Sequence, residues 1–162
     1  MNLVDLIPLS TRRVLIDAPS GTVGVELTRA FAASTRELWE AITDPHRREH
    51  WFGPLDGAAP DVEVCEEEHL LRLPWEDGTL EISFADSALT VRHTVARDEE
   101  WETYGPALLG VGWDSALAAL DLHLAVDAEA AEGEEEEFLR RLVDEWSADK
   151  QQRARALELF LA

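Results

Sequence analysis

Cysteine is almost absent from this sequence of 162 residues, which contains only Cys65. A single cysteine cannot form an internal disulfide or supply a cysteine zinc cluster, so redox and structural-zinc functions lose support. Long apolar runs are absent as well. The longest, Ala107 to Trp113, has seven residues, against the roughly 20 that a membrane-spanning helix requires. At the N-terminus Asp5 comes early and the basic pair Arg12-Arg13 follows the apolar residues, the reverse of a secretory signal, so the sequence predicts a cytoplasmic protein.

Positive charge is also scarce. Lysine and arginine total 14 against 34 aspartate and glutamate residues, which gives a formal net charge of −20 at pH 7. A field of this sign repels phosphate backbones and anionic lipid head groups. We therefore expect neither a nucleic acid nor a membrane surface among the partners of the protein.

What the sequence does contain is sufficient for one folded domain. Its composition is 46% hydrophobic and 30% charged, as in ordinary globular proteins. A chain of this length buries roughly 70% of the surface that it exposes when unfolded. A core can therefore form without a metal or a disulfide, and the sequence predicts neither a cofactor nor a metal site.

Hydrophobic periodicity divides the first third of the chain. Residues 1–21 show little periodicity and predict a short helix or arm followed by a turn. Strict alternation then predicts a strand from Thr22 to Ala32. Ser34 and Glu37 form a capping box, which predicts a helix to Thr43. A second short helix is expected over Pro45–Trp51, because proline is favoured at the first helical position.

The middle third predicts an antiparallel meander. A glycine- and proline-rich loop over residues 53–60 precedes it. Asp77-Gly78 is a strong hairpin signal, and the flanking segments alternate between apolar and polar residues. The predicted strands are Val62 to Cys65, His69 to Pro74, Thr79 to Ala85 and Leu89 to Ala96.

The last third is predicted to be helical. Apolar residues recur on one broad face of the segment Pro106 to Leu124, so this helix must pack against an apolar layer. A linker from Asp127 to Gly133 follows. The carboxylates of Glu134 to Glu137 complement the dipole of a helix N-terminus, and a single final helix is predicted to continue to Leu161.

Two segments, Gly24 to Phe52 and Trp101 to Leu124, resemble the two ends of bacterial SRPBCC (START-like, helix-grip) proteins. More narrowly, they resemble the family named for the C-terminal domain of the activator of the heat-shock-protein-90 ATPase. Such a resemblance identifies a fold more than a reaction. The motifs that carry it are Arg29-x-Phe31, Leu38-Trp39-x-Ala41-Ile42-Thr43-Asp44-Pro45, Trp51-Phe52, Gly105-Pro106, Gly110-Val111-Gly112-Trp113 and His123-Leu124.

The resemblance implies an α+β protein in which a curved antiparallel sheet grips a long helix, often around a cavity for an apolar small molecule. Only a short loop stands where a further hairpin is expected, so the sheet is predicted to have about five strands. The chain is divided into an N-terminal arm (1–21), a helix-grip domain (22–126) and an appended C-terminal helix (127–162). A shortened sheet has three alternative consequences: a more open cavity, a smaller cavity, or an exposed edge that a second subunit covers in a homodimer.

Several aromatic and apolar residues are candidates for the wall of such a cavity, because aromatic rings offer large apolar surfaces with a few polar groups. Ordinary core packing explains each of them equally well. His123 lies near the edge of the apolar face of the long helix, and His93 has a similar position on a strand. The predicted ligand-binding residues are Trp51, Phe52, Trp75, Trp113, Leu117 and His123.

No catalytic residues are predicted. His46 to His50 matches the H-x-x-E-H spacing of inverted zinc peptidases, but the helix is too short and no third ligand follows, so we interpret it as exposed and polar. Cys65 precedes three glutamates, which disfavours a thiolate. Three functions remain open: a non-enzymatic binder of a small apolar ligand, a protein-interaction or co-chaperone-like module, and a cyclase-like enzyme.

Overall fold

Residues 2–52, 62–125 and 133–162 are described in the computed structural model of the chain. The predicted loop over residues 53–60 and the predicted linker from residue 127 to 132 lie outside these ranges. After a 3-10 helix at Leu3–Leu9, the described strands are β1 (Ser10–Asp17), β2 (Thr22–Ala30), β3 (Val64–Glu66), β4 (Leu70–Trp75), β5 (Gly78–Ala85) and β6 (Ala88–Ala96). The α-helices are α1 (Thr35–Thr43), α2 (Pro45–Trp51), α3 (Glu99–Tyr104), α4 (Ala107–Leu124), α5 (Glu134–Trp146) and α6 (Lys150–Leu161).

The strands form one six-stranded sheet in the order β1-β2-β6-β5-β4-β3, and each neighbouring pair is antiparallel. The two hairpins beside β5 have two-residue turns. Glu76 and Asp77 have φ values of 44° and 60°, and Asp86 and Ser87 have values of 50° and 61°. Two consecutive positive φ angles are what the tightest hairpin turns require, and they suit the twist of the flanking strands.

One face of the sheet supplies the core. Alternate side chains of β2, β5 and β6 are buried, as the period of two requires. Helix α4 lies against β2, and α1 lies against β5. Helix α5 packs on the other side of α4, so α4 is buried between the sheet and the C-terminal helices.

The sheet has one strand more than the five that the sequence predicts. The additional strand is β1, in a segment where a short helix or arm was expected. It pairs along its whole length with β2, from Ser10 opposite Arg29 to Asp17 opposite Thr22. Most of its side chains are exposed, including Val14 and Ile16. Because its main contacts are backbone hydrogen bonds, no apolar alternation marks it in the sequence.

The C-terminal helical prediction also needs correction, since the single helix expected over residues 134–161 is two helices. The break falls at residues 147–149. The Asp149 side chain accepts hydrogen bonds from the backbone amides of Gln151 and Gln152, at 2.7 and 3.1 Å, and so begins α6 as an N-cap. Helix α3 was not predicted either, and Asp98 caps it in the same manner.

None of the helices in the described ranges combines the length and the apolar character needed to cross a membrane.

Candidate functional site

A cavity of about 310 Å³ lies between the β3–β5 end of the sheet, the α1–α2 pair and α4. We refer to it as the aromatic cavity. Its volume is at the lower end of the range for small-molecule sites. The described residues that line it are Ile42, Thr43, Arg48, Trp51, Phe52, Val62, Cys65, Leu71, Leu73, Trp75, Leu80, Ile82 and Trp113.

Three rings form one wall of this cavity. Phe52 and Trp113 are stacked, with ring centroids 6.1 Å apart and planes 17° apart. Trp75 completes the group at 5.7 Å from Phe52 and 5.9 Å from Trp113. Offset and tilted arrangements at these distances are the favourable geometries for aromatic pairs. The wall therefore joins a strand, a helix end and the long helix.

Helix α2 is fixed against the end of α1 by two side-chain hydrogen bonds. The indole Nε1–H of Trp51 donates to the carbonyl oxygen of Ala41 at 2.9 Å, and Nη1 of Arg48 donates to that of Ile42 at 3.2 Å. The last carbonyls of a helix have no partner within the helix, so these donors satisfy groups that would otherwise be unpaired. The same two bonds position Trp51 and Arg48 at the cavity.

His93 lies behind the aromatic wall and is fully buried. The indole Nε1–H of Trp113 donates to its Nδ1 at 3.0 Å, and its Nε2 lies 3.3 Å from the carbonyl oxygen of Trp75. Nδ1 must therefore be the acceptor, which leaves the proton on Nε2 and makes the ring neutral. His93 thus links Trp75 and Trp113 through one hydrogen bond to each. A smaller cavity of about 190 Å³ opens on the same side.

His93 gives stability a pH dependence. Burial is the main cause that lowers its pKa below 6.5, and the hydrogen bond to Trp75 opposes this shift. Below about pH 6.5 the unfolded chain binds a proton before the folded chain does, so stability falls as pH falls through that range. We expect the free energy of unfolding, measured in urea between about pH 7.5 and 5.5, to change less steeply with pH in His93→Gln than in wild type. The difference in slope is at most about 1.4 kcal/mol per pH unit.

The exposed His69 supplies the matched control for this experiment. The His69→Gln variant is expected to keep the wild-type slope. An equal slope in wild type and His93→Gln would show that the neutral, doubly hydrogen-bonded state of His93 is not the source of the pH dependence.

The structure places four of the six predicted site residues around the aromatic cavity: Trp51, Phe52, Trp75 and Trp113. Leu117 is 3% exposed and His123 is half-buried, and neither is among the residues that line it. The His123 ring lies 6.0 Å from that of His50. Partial burial lowers the pKa of His123, and the neighbouring Arg47 and His50 lower it further. A ligand-binding role for any of the six stays a prediction.

Sequence reasoning missed the guanidinium, thiol and hydroxyl groups of the described lining, which belong to Arg48, Cys65 and Thr43. Arg48 precedes Trp51 by three residues on α2, so the two side chains lie on the same face of a helix. This spacing is the signal that would have found Arg48. Cys65 was interpreted as inert, and its exposed thiol lies on the cavity lining.

The H-x-x-E-H segment forms α2. Nδ1 of His50 lies 2.8 Å from the carbonyl oxygen of His46. Across the part of the chain that the structure describes, no three histidine, cysteine or carboxylate side chains come together in a group suited to a metal ion.

A buried polar cluster holds α4 in place on the side away from the cavity. The Asp114 carboxylate, 3% exposed, accepts hydrogen bonds from Nε and Nη2 of Arg12, both at 2.8 Å. Nε1 of Trp146 donates to the same carboxylate at 2.6 Å. Asp114 directly follows Trp113, so this cluster ties β1 and α5 to the segment of α4 that carries an aromatic ring of the cavity.

The fold is an α+β arrangement of a six-stranded antiparallel sheet with a long helix on one face, consistent with the helix-grip class. Solved structures share it. CalU16 from Micromonospora echinospora has a TM-score of 0.66 at 20% identity, over 86% of this chain and 96% of that one. The protein EF2215 from Enterococcus faecalis, of unknown function, has a TM-score of 0.64 at 14% identity, over 88% and 93%.

DynU16, a protein of the dynemicin biosynthetic locus, has a TM-score of 0.54 at 22% identity, over 62% of this chain and 46% of that one. At these identities the similarity shows the fold and not the function. No protein-family model matches the sequence, and a search of the curated proteins finds no match.

Proposed function

We propose that this protein binds a small apolar molecule in the aromatic cavity without transforming it. The observation that carries the proposal is the cavity itself, about 310 Å³ in volume and walled by four aromatic rings and several aliphatic side chains. Concave, mostly apolar sites with few polar groups are typical of small-molecule binding. The rings contribute large, rigid contact areas that lose little entropy when a ligand binds.

We also propose that the chain belongs to the SRPBCC superfamily, and within it to the group resembling the C-terminal domain of the activator of the heat-shock-protein-90 ATPase. Its sequence motifs and its element order both support this assignment. The location of DynU16 in a biosynthetic locus is compatible with a natural-product ligand for proteins of this fold.

The chemistry of the cavity favours binding over a cyclase-like reaction. The described lining residues include one guanidinium, one thiol and one hydroxyl, and no carboxylate or imidazole. The hydroxyl of Thr43 already donates to the carbonyl oxygen of Trp39 at 2.7 Å. A cyclase needs a positioned acid and base within hydrogen-bond distance of the substrate, and the described lining offers no such pair.

One observation favours the alternative of an interaction module. Strand β1 is at the edge of the sheet and exposes Val14 and Ile16, which are 43% and 63% accessible. Exposed edges pair readily with another strand, which would produce the homodimer that the sequence suggested. A monomer in sedimentation equilibrium, together with no partner recovered by pull-down, would count against this alternative.

Filling the cavity is expected to abolish binding. The neutral fluorescent probe N-phenyl-1-naphthylamine should bind wild type at a single saturable site, while Leu73→Trp, which puts an indole into the cavity, should weaken binding at least about tenfold. Probe fluorescence and native mass spectrometry measure this. Protection of the Cys65 thiol from a maleimide reports occupancy independently, because Cys65 is the only cysteine and lies on the lining.

The control is Leu157→Trp, which adds the same side chain at a half-buried position of α6, outside the lining residues. It should bind the probe as wild type does. Equal binding by Leu73→Trp and Leu157→Trp, or no saturable binding by wild type, would contradict the proposal.

A further inference from the structure

Arg48 is the one cationic side chain among the described residues that line the aromatic cavity. It is half-buried on α2 and contacts an otherwise apolar space. Placing a guanidinium beside apolar surface is costly unless a partner compensates its charge. The group that compensates the charge of Arg48 therefore indicates which class of ligand the cavity binds.

The other buried and half-buried arginines of the described chain have carboxylate partners. Arg12 pairs with Asp114, Arg29 with Asp121, and Arg47, directly beside Arg48, with Glu40. Among the described residues, no carboxylate lies within ion-pair distance of Arg48. The chain contains 34 acidic residues, so a shortage of carboxylates does not explain this arrangement.

Among the described residues, the Arg48 guanidinium makes one hydrogen bond. Nη1 donates to the carbonyl oxygen of Ile42 at 3.2 Å. A guanidinium has five N–H donors in a planar fork that matches the oxygens of a carboxylate, sulfonate or phosphate. The bond to Ile42 anchors the side chain, which is among the described residues that line the cavity.

We infer that the ligand of the aromatic cavity is an amphipathic anion, with an apolar body against the rings and an acidic group on Arg48. This inference rests on the proposed function and specifies its ligand class. The net charge of −20 disfavours anions elsewhere on the surface, so a bound anion requires a local cation. Arg48 is a specificity-determining residue in this arrangement.

A matched pair of probes tests the inference. N-phenyl-1-naphthylamine and 8-anilino-1-naphthalenesulfonate have the same aromatic skeleton, and only the second carries a sulfonate. In Arg48→Gln, the dissociation constant of the sulfonate probe should rise about tenfold, as expected for the loss of a charge-assisted hydrogen bond. That of the neutral probe should rise by a clearly smaller factor, which measures the effect of losing the hydrogen bond to Ile42. Arg48→Lys should restore part of the sulfonate affinity.

Arg47→Gln is the matched control, because it removes a charge from the adjacent residue, which pairs with Glu40 and is not on the lining. It should leave both dissociation constants unchanged. Asp56→Asn/Asp61→Asn, in the segment outside the described residues, should also leave the ratio of the two constants unchanged. A higher sulfonate affinity in that variant would identify an aspartate as the partner of Arg48 and overturn the inference.

The outcomes separate the two proposals. If neither probe binds wild type saturably or protects Cys65, the proposed function fails. If both probes bind and protect Cys65 but Arg48→Gln weakens them equally, the cavity is a binding site and the anionic ligand class is wrong.

Discussion

Replacing Asp114 by alanine should lower the free energy of unfolding by about 3–5 kcal/mol, because it leaves a buried charge without its partner. The carboxylate accepts two hydrogen bonds from Arg12 and one from the indole of Trp146. Truncation removes the carboxylate partner of the half-buried Arg12 guanidinium and the acceptor of the buried Trp146 indole. The penalty is a large part of the 5–15 kcal/mol that stabilises a typical domain.

The electrostatics around Asp114 add to this effect. Arg29 is buried nearby, and burial lowers its pKa to about 10, while the charge of Asp114 raises it and that of Arg12 lowers it. Removal of Asp114 therefore leaves the buried Arg29 and the half-buried Arg12, whose positive charges repel each other. Arg29 keeps its ion pair with Asp121, and Arg12 keeps only bonds to backbone carbonyls.

Urea unfolding followed by circular dichroism measures this prediction. Asp144→Asn is the control, because Asp144 is half-exposed and pairs with Arg153 on the surface, where ion pairs contribute about 0–1 kcal/mol. Should Asp114→Ala not fold, Asp114→Asn keeps an oxygen for Trp146 and should lose about 1.5–3 kcal/mol. A loss below about 1 kcal/mol in Asp114→Asn would contradict the assigned role.

A double variant tests whether the cost comes from the unpaired charge. Arg12→Met/Asp114→Leu removes both charges and keeps apolar volume. Replacing both members of a buried ion pair is often close to neutral. We expect this variant to be more stable than Asp114→Ala. Equal instability would show that packing around Asp114, and not charge, dominates.

The parts of the fold that sequence reasoning predicted correctly are those with a local cause. Asp77-Gly78 marks a hairpin that the structure forms with positive φ at Glu76 and Asp77. Ser34 and Glu37 begin α1, where the Ser34 hydroxyl accepts from the Glu37 amide at 3.1 Å. Turn chemistry and capping are read from a few adjacent residues, so one sequence is sufficient to find them.

Two features escaped this reasoning, a strand that depends on a distant contact and a helix break that depends on a single local cap. Strand β1 exists because β2 offers an unpaired edge, and its own side chains are mostly exposed. The break before α6 depends on one N-cap, Asp149, in a segment whose apolar residues suit a continuous helix. Helix periodicity reports burial and gives no indication of a short interruption.

The residues of the candidate site also divide into those that the sequence identifies and those that it does not. Aromatic residues such as Trp75 and Trp113 could be nominated from sequence, since large rings belong to cores or pockets. Arg48 could be placed beside Trp51 from their spacing on α2, but its lack of a carboxylate partner among the described residues is visible only in three dimensions. Leu117 and His123 lie on the same helix as Trp113, but helical periodicity alone does not distinguish which turn reaches the cavity.

The close approach of α4 and α5 predicts the second large effect. A Cβ atom added at Gly110 would lie 2.3 Å from the indole of Trp146, which is itself buried. Real Cβ contacts are never so short, so the ring or the helix must move. Gly110→Ala should therefore lower the free energy of unfolding by about 1–3 kcal/mol, although alanine is the better helix former by about 1 kcal/mol.

Gly112, on the same helix, provides the matched control because an added Cβ there meets nothing within 4 Å. Gly112→Ala should raise stability by about 0.4–1 kcal/mol through helix propensity and a less flexible unfolded chain. Both substitutions replace glycine by alanine. Changes of opposite sign in the free energy of unfolding would therefore show that the contact between α4 and α5 at Gly110 causes the loss. In a Trp146→Leu background, Gly110→Ala should lower the free energy of unfolding by a smaller amount, because the indole that the added Cβ would contact is absent. A penalty that persists unchanged there would place the strain elsewhere in α4.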